Sequence, residues 1–76
     1  MKAYVLIDVR PGEIKQVLSL LRRLEGVVEA YMTFGPYDIV VTLETRDIQH
    51  LGSLLSNEIQ PIPGIQETLT CLAVET

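Results

Sequence analysis

The stretch Val27-Val28-Glu29-Ala30-Tyr31-Met32-Thr33-Phe34-Gly35-Pro36-Tyr37-Asp38-Ile39-Val40-Val41-Thr42-Leu43-Glu44 decides the fold. Its two arms, Val27 to Phe34 and Tyr37 to Glu44, are rich in β-branched and apolar residues and flank a Gly-Pro pair. That pattern predicts two strands joined as an antiparallel hairpin with only Gly35-Pro36 between them. Turning the chain accounts for Gly35 and Pro36. It does not call for Tyr37 and Asp38, an aromatic and an acid at the end of a sheet, and these two mark a candidate binding edge.

Working outward, Lys2 to Val9 alternates, with Ala3, Val5, Ile7 and Val9 on one face and Tyr4 and Leu6 on the other, which predicts a strand. Pro11-Gly12 stops it. A helix follows, with Glu13 in its first turn and an apolar stripe of Ile14, Val17, Leu18, Leu21 and Leu24; Gly26 is placed as its C-terminal cap. Beyond the hairpin, Thr45 or Asp47 caps a second helix whose stripe is Ile48, Leu51, Leu54, Leu55 and Ile59. Gly52 inside it costs about 1 kcal/mol against alanine and suggests a close packing contact. Pro61-Ile62-Pro63-Gly64 ends that helix, and Ile65 to Val74 forms a fourth strand.

The order is βαββαβ, and its halves echo each other: Gly26-Val27-Val28-Glu29-Ala30 parallels Gly64-Ile65-Gln66-Glu67-Thr68. Short connections and right-handed crossovers then give a ferredoxin-like α+β sandwich, a four-stranded antiparallel sheet with both helices on one face. The other face, expected to carry Tyr4, Leu6, Val28, Ala30, Val41 and Leu43, is too apolar for an isolated solvated sheet, which predicts dimerisation through the sheet.

Composition narrows the function. A chain of 76 residues is one domain and buries only roughly 60–65% of its unfolded surface, so a partner subunit is expected to add stability. Apolar residues make up 47% of it, yet no run approaches the about 18 residues of a membrane span. The amino terminus lacks the regions of a signal peptide, and one cysteine, Cys71, cannot form an internal disulfide; both point to the cytoplasm. A formal charge of −4 works against phosphate as a source of affinity, so nucleic acid is not an expected direct partner. No cofactor or metal is expected: His50 stands alone on a helix without converging ligands, Cys71 is read as a small packed apolar residue, and no nucleophile and base occur at readable spacing.

Four segments together resemble the ligand-sensing domain of the Lrp/AsnC transcription regulators, the regulation-of-amino-acid-metabolism (RAM) domain. They are Ala3-Tyr4-Val5-Leu6-Ile7, Gly26-Val27-Val28-Glu29-Ala30, Gly35-Pro36-Tyr37-Asp38-Ile39-Val40-Val41 and Ile62-Pro63-Gly64-Ile65-Gln66-Glu67-Thr68-Leu69-Thr70. The resemblance spans almost the whole chain, read as a single RAM-like domain over residues 1–76. Full-length regulators of this type also carry a helix-turn-helix, so the resemblance implies a stand-alone sensing module.

It further implies sheet-paired dimers that associate into a ring of dimers, with a small amino-acid effector held between dimers, and it admits full-length Lrp/AsnC regulators as partners. The residues that match the pocket-forming motifs are Gly35, Pro36, Tyr37 and Asp38 in the turn and Thr68 and Thr70 in the last strand. Pro36 departs from the polar or acidic residue frequent there and removes one backbone donor.

Each of these residues also has a structural role open to it. Asp38 can accept from an effector ammonium or cap backbone amides of the turn. Tyr37 suits a ligand wall or an interface. Gly35 serves the turn or a close ligand approach, Thr68 and Thr70 can hold a carboxylate or reflect β propensity, and Thr33 is assigned to the turn. Two other functions fit the sequence: a structural oligomerisation module without effector, and a small dimeric α/β-barrel enzyme.

Overall fold

The computed structural model describes residues 1–74. Its strands are β1 (Lys2–Val9), β2 (Val27–Met32), β3 (Ile39–Glu44) and β4 (Ile65–Leu72), and its helices α1 (Ile14–Leu21) and α2 (Ile48–Leu54). The sheet order is β2-β3-β1-β4 with all neighbours antiparallel, the ferredoxin-like α+β arrangement the sequence predicts.

Alternation in the central strands makes the core. Ala3, Val5, Ile7 and Val9 of β1 and Ile39, Val41 and Leu43 of β3 are buried. They form one cluster with Ala30 of β2, Val17 and Leu21 of α1, Leu51 and Leu54 of α2, and Ile59. Both helices therefore cover one face of the sheet. The opposite face carries Tyr4 and Leu6 of β1, Tyr31 of β2, Val40 and Thr42 of β3, and Leu69 and Cys71 of β4, as the strand registers dictate. Among the described residues nothing covers it, and Tyr4, Tyr31 and Leu69 keep 40%, 52% and 48% of their surface exposed.

This register corrects half of the expected bare face. Tyr4 and Leu6 lie there, but Ala30, Val41 and Leu43 face the helices and are 3%, 0% and 0% exposed. Val28 sits where the β2–β3 register slips between Val27 and Glu29, a bulge that leaves it exposed.

The helices end differently from the apolar stripes. Helix α1 stops at Leu21; Arg23 and Leu24 close tighter turns by donating to the carbonyls of Leu20 and Leu21, so Gly26 begins the run into β2 and is not the helix cap. Asp47 caps α2, its Oδ1 accepting the His50 amide at 2.7 Å. After Leu54 the helix widens into a π-helical turn, Leu55–Ile59, marked by the Gln60 amide donating to the Leu55 carbonyl at 2.9 Å. The wide turn has a packing consequence: four residues beyond Leu54 stands exposed Glu58, and the extra residue brings Ile59 to the core instead, with no exposed surface.

Candidate functional site

The hairpin connection is longer than a two-residue turn. Strand β2 ends at Met32 and β3 begins at Ile39, so residues 33–38 form a six-residue loop. Its closure is internal. The Thr33 amide donates to the Asp38 carbonyl at 2.9 Å, and Thr33 Oγ1 donates to the Tyr37 carbonyl at 2.7 Å, so Thr33 is structural, as expected. Gly35 adopts φ +153°, in the region that favours glycine, with open space where a Cβ would stand.

Asp38 is tied to the centre of the sheet. Its amide donates to the Ile7 carbonyl at 2.9 Å, and its Oδ2 accepts the Val9 amide at 2.8 Å, beside the irregularity between Asp8 and Val9 in the β1–β4 pairing. The carboxylate thus satisfies a backbone donor on β1, 29 residues away in sequence, and not an amide of its own turn.

Phe34 stands fully exposed at the loop, at 101%. Beside it, Leu6 and Val40 of the bare face, with Thr33, Gly35, Pro36 and Tyr37, line an open depression of about 350 Å³ whose walls are almost wholly apolar. Two other hollows, of about 250 Å³ along β2 and Arg22 and of about 490 Å³ beside Met1 and Val74, contain none of the residues expected to bind an effector.

Thr68 and Thr70 lie elsewhere. They pair across β1 with Ile7 and Val5, so their side chains share the helix-side face of β4, half-buried and exposed respectively. Within one protomer, Gly35, Pro36 and Tyr37 gather at the bare-face depression, while Thr68 and Thr70 lie on the other side of the sheet; one chain does not bring the six residues into a single pocket.

Three interactions carry no sequence signal of their own. Arg22, just past α1, donates from Nε and Nη2 to the Ala30 carbonyl at 3.0 and 2.7 Å, clamping the outer edge of β2. The Tyr31 hydroxyl donates to Glu29 Oε2 at 3.0 Å, and that bond, reinforced by the carboxylate's charge, raises the phenol pKa above its usual 10.0. His50 Nδ1 accepts the Arg46 amide at 3.1 Å, completing a reciprocal cap with Asp47.

Cys71 differs from its expected packed state: it is exposed on the bare face opposite Tyr4. Among the described residues no group of three or more His, Cys, Asp or Glu side chains is placed to hold a metal ion, and no helix is long and apolar enough to cross a membrane.

Residues 2–76 match the sequence profile of the Lrp/AsnC ligand binding domain. The chain belongs to that family. Among its relatives, the HTH-type transcriptional regulator FL11 of Pyrococcus abyssi is 38% identical over 76 residues, which is 100% of this chain and 50% of the regulator. The crystal structure of FFRP-DM1 superposes with a TM-score of 0.92 at 32% identity, covering 96% of this chain and 97% of that one. The structure of E. coli AsnC gives 0.93 at 32% identity, covering 99% of this chain and 51% of AsnC. This chain spans about half the length of the curated FL11 regulators it matches. Those relatives are transcriptional regulators and not enzymes, so the Lrp/AsnC domain identifies a regulatory ligand-binding module and displaces the α/β-barrel enzyme as a reading of this fold.

Proposed function

We propose that the chain senses a small amino acid for Lrp/AsnC-type transcription regulation, enclosing the effector between sheet-paired dimers and altering their assembly. The observation that carries this reading is the division of the family-matched residues. The Gly35-Pro36-Tyr37-Asp38 loop and the Thr68/Thr70 pair do not share a pocket in one protomer, so a site that uses both needs loops and strands from neighbouring copies. Binding is then linked to assembly: an effector held only in the assembled form favours assembly by its differential affinity.

The bare sheet face supplies the first contact. Strands of six to eight residues, four abreast at about 4.8 Å spacing, give a face of roughly 20 by 20 Å. Two such faces with their side chains and loops approach the ~1,200 Å² at which stable interfaces begin. Rings of dimers and association with full-length regulators extend the same logic, and the chain acts in the cytoplasm through protein contacts, without direct nucleic-acid contact, because its net charge of −4 disfavours phosphate.

Thermal shift and calorimetry over the twenty amino acids, each paired with sedimentation velocity, test the proposal. A stabilising amino acid that also changes the sedimentation coefficient is expected. If none of the twenty shifts either observable, the chain is a structural pairing module and the sensing role is lost.

A further inference from the structure

We infer that two copies stack their bare faces with β1 running antiparallel over β1, so that Lys2 of each copy meets Asp8 and Glu67 of the other. This rests on the reading that copies pair through that face and adds the direction of the pairing. The charges at the two ends of the face carry it. Lys2, Tyr4, Leu6 and Asp8 alternate along β1 toward the bare side, and Glu67 of β4 stands directly opposite Asp8. Lys2 and Asp8 are roughly 20 Å apart at about 3.3 Å per residue, which puts a cation at one end of the strand and paired acids at the other.

Neither end is balanced within the chain. Antiparallel neighbours hold the Asp8 and Glu67 Cβ atoms about 5 Å apart, where like charges repel. No ion pair among the described residues includes Lys2, Asp8 or Glu67. Arg10, the cation nearest to Asp8 in the sequence, is held by Glu13 at 3.1 Å, and Glu44, the cross-strand neighbour of Lys2, faces the Met1 ammonium at 3.9 Å.

A two-fold pair of stacked sheets can run in either of two directions, because packed sheets keep their strands within about 30° of a common line and each contact of such a pair is made twice. With the axis along the strands, Asp8 and Glu67 of one copy lie near the same residues of the other, and Lys2 near Lys2. Like charges then meet at both ends, at a cost in affinity. With the axis across the strands, Tyr4 and Leu6 stay at the centre and each end of one face covers the opposite end of the other. The Lys2 ammonium, on its flexible stem, then reaches the Asp8 and Glu67 carboxylates across the gap of about 10 Å between sheets.

The same axis sends the hairpin loops apart. Each loop adjoins the Asp8 end of β1, where the Asp38 amide donates to the Ile7 carbonyl. The two loops therefore lie at opposite ends of the pair, each open to a neighbouring pair.

Carbodiimide coupling of the intact chain, with peptide mapping of the covalent dimer, reads this direction. Lys2 cannot span the length of β1 to Asp8 or Glu67 of its own chain, so an amide from Lys2 to either residue is expected in the dimer and joins two copies. Sedimentation equilibrium at about 50 mM salt, where screening is weak, gives a second reading. Lys2→Glu should weaken dimerisation about tenfold or more, and the combined Lys2→Glu and Asp8→Lys variant should recover most of that loss, with circular dichroism confirming the fold of each.

A covalent dimer without either amide, an unchanged dimer in Lys2→Glu, or no recovery in the combined variant overturns the antiparallel direction and leaves sheet pairing standing. A parent chain that stays monomeric overturns both.

Discussion

Replacing Asp38 separates what this carboxylate does for the fold from what it does for a ligand. In Asp38→Ala the backbone bond from residue 38 to the Ile7 carbonyl is retained, but the Val9 amide loses the Oδ2 acceptor it holds at 2.8 Å. A hydrogen bond to a charged group contributes about 1.5–3 kcal/mol when buried. Asp38 is only half-buried, so solvent screening lowers the expected loss to about 1–2 kcal/mol.

For a domain of this size such a loss lowers the melting temperature by roughly 5–15 °C. Asp38→Asn keeps an oxygen acceptor without charge and should cost roughly half as much. The assay is urea unfolding followed by circular dichroism at one fixed protein concentration, because association contributes to apparent stability. An Asp38→Ala variant within about 0.3 kcal/mol of the parent would refute the anchoring of β1 by this carboxylate. The consequence for function is direct: loss of ligand response in Asp38→Ala counts as loss of a ligand contact only when Asp38→Asn, comparably folded, also loses it.

Other positions give independent checks. Gly52 lies within α2 with open space where a Cβ would stand, so Gly52→Ala should stabilise by about 0.5–1 kcal/mol in the same unfolding assay. Gly64 has φ +103°, and an added Cβ would meet Val17 Cγ2 at 3.0 Å and Glu13 Oε1 at 3.2 Å; Gly64→Ala should therefore cost at least about 1–2 kcal/mol, seen as a lower urea midpoint. Tyr31, whose phenol pKa is raised first by its hydrogen bond to Glu29 and then by that residue's charge, should ionise later than a free tyrosine. A raised folded pKa means that the stabilisation is present below pH 10 and is lost as pH climbs through the folded value. In an NMR titration of the tyrosine rings, Glu29→Gln should bring Tyr31 back toward 10.0.

Sequence reading reached different depths in different elements. Strand β1 runs over the same residues, Lys2–Val9, that the alternation predicts, because a central strand with one face under the helices has a clean period of two. The loop between β2 and β3 was less legible. Gly35-Pro36 marks a turn, but the chain leaves the ladder at Thr33, since Asp38 turns its amide and carboxylate to β1, and a contact across 29 residues leaves no local pattern.

The bare face was misassigned in β2 and β3 because both faces of Ile39-Val40-Val41 are apolar. Alternation there cannot say which side meets the helices, and the bulge at Val28 breaks the count in β2. Gly52 was read as a contact and is an open helical position. Of the candidate site, the loop residues and the two threonines were nameable from motifs. Their separation onto opposite sides of the sheet follows only from the β1–β4 register.

The central claim is that copies of this chain pair through the uncovered sheet face, and that this pairing sets the hairpin loops where neighbouring pairs enclose an effector. Sedimentation equilibrium of the unliganded protein across the micromolar range tests it most directly, with Leu6→Glu as the control that puts a charge in the middle of that face. The account predicts a mass of at least twice 8.5 kDa for the parent and a shift toward monomer for Leu6→Glu. A parent chain that sediments as a folded 8.5 kDa monomer throughout that range would contradict it.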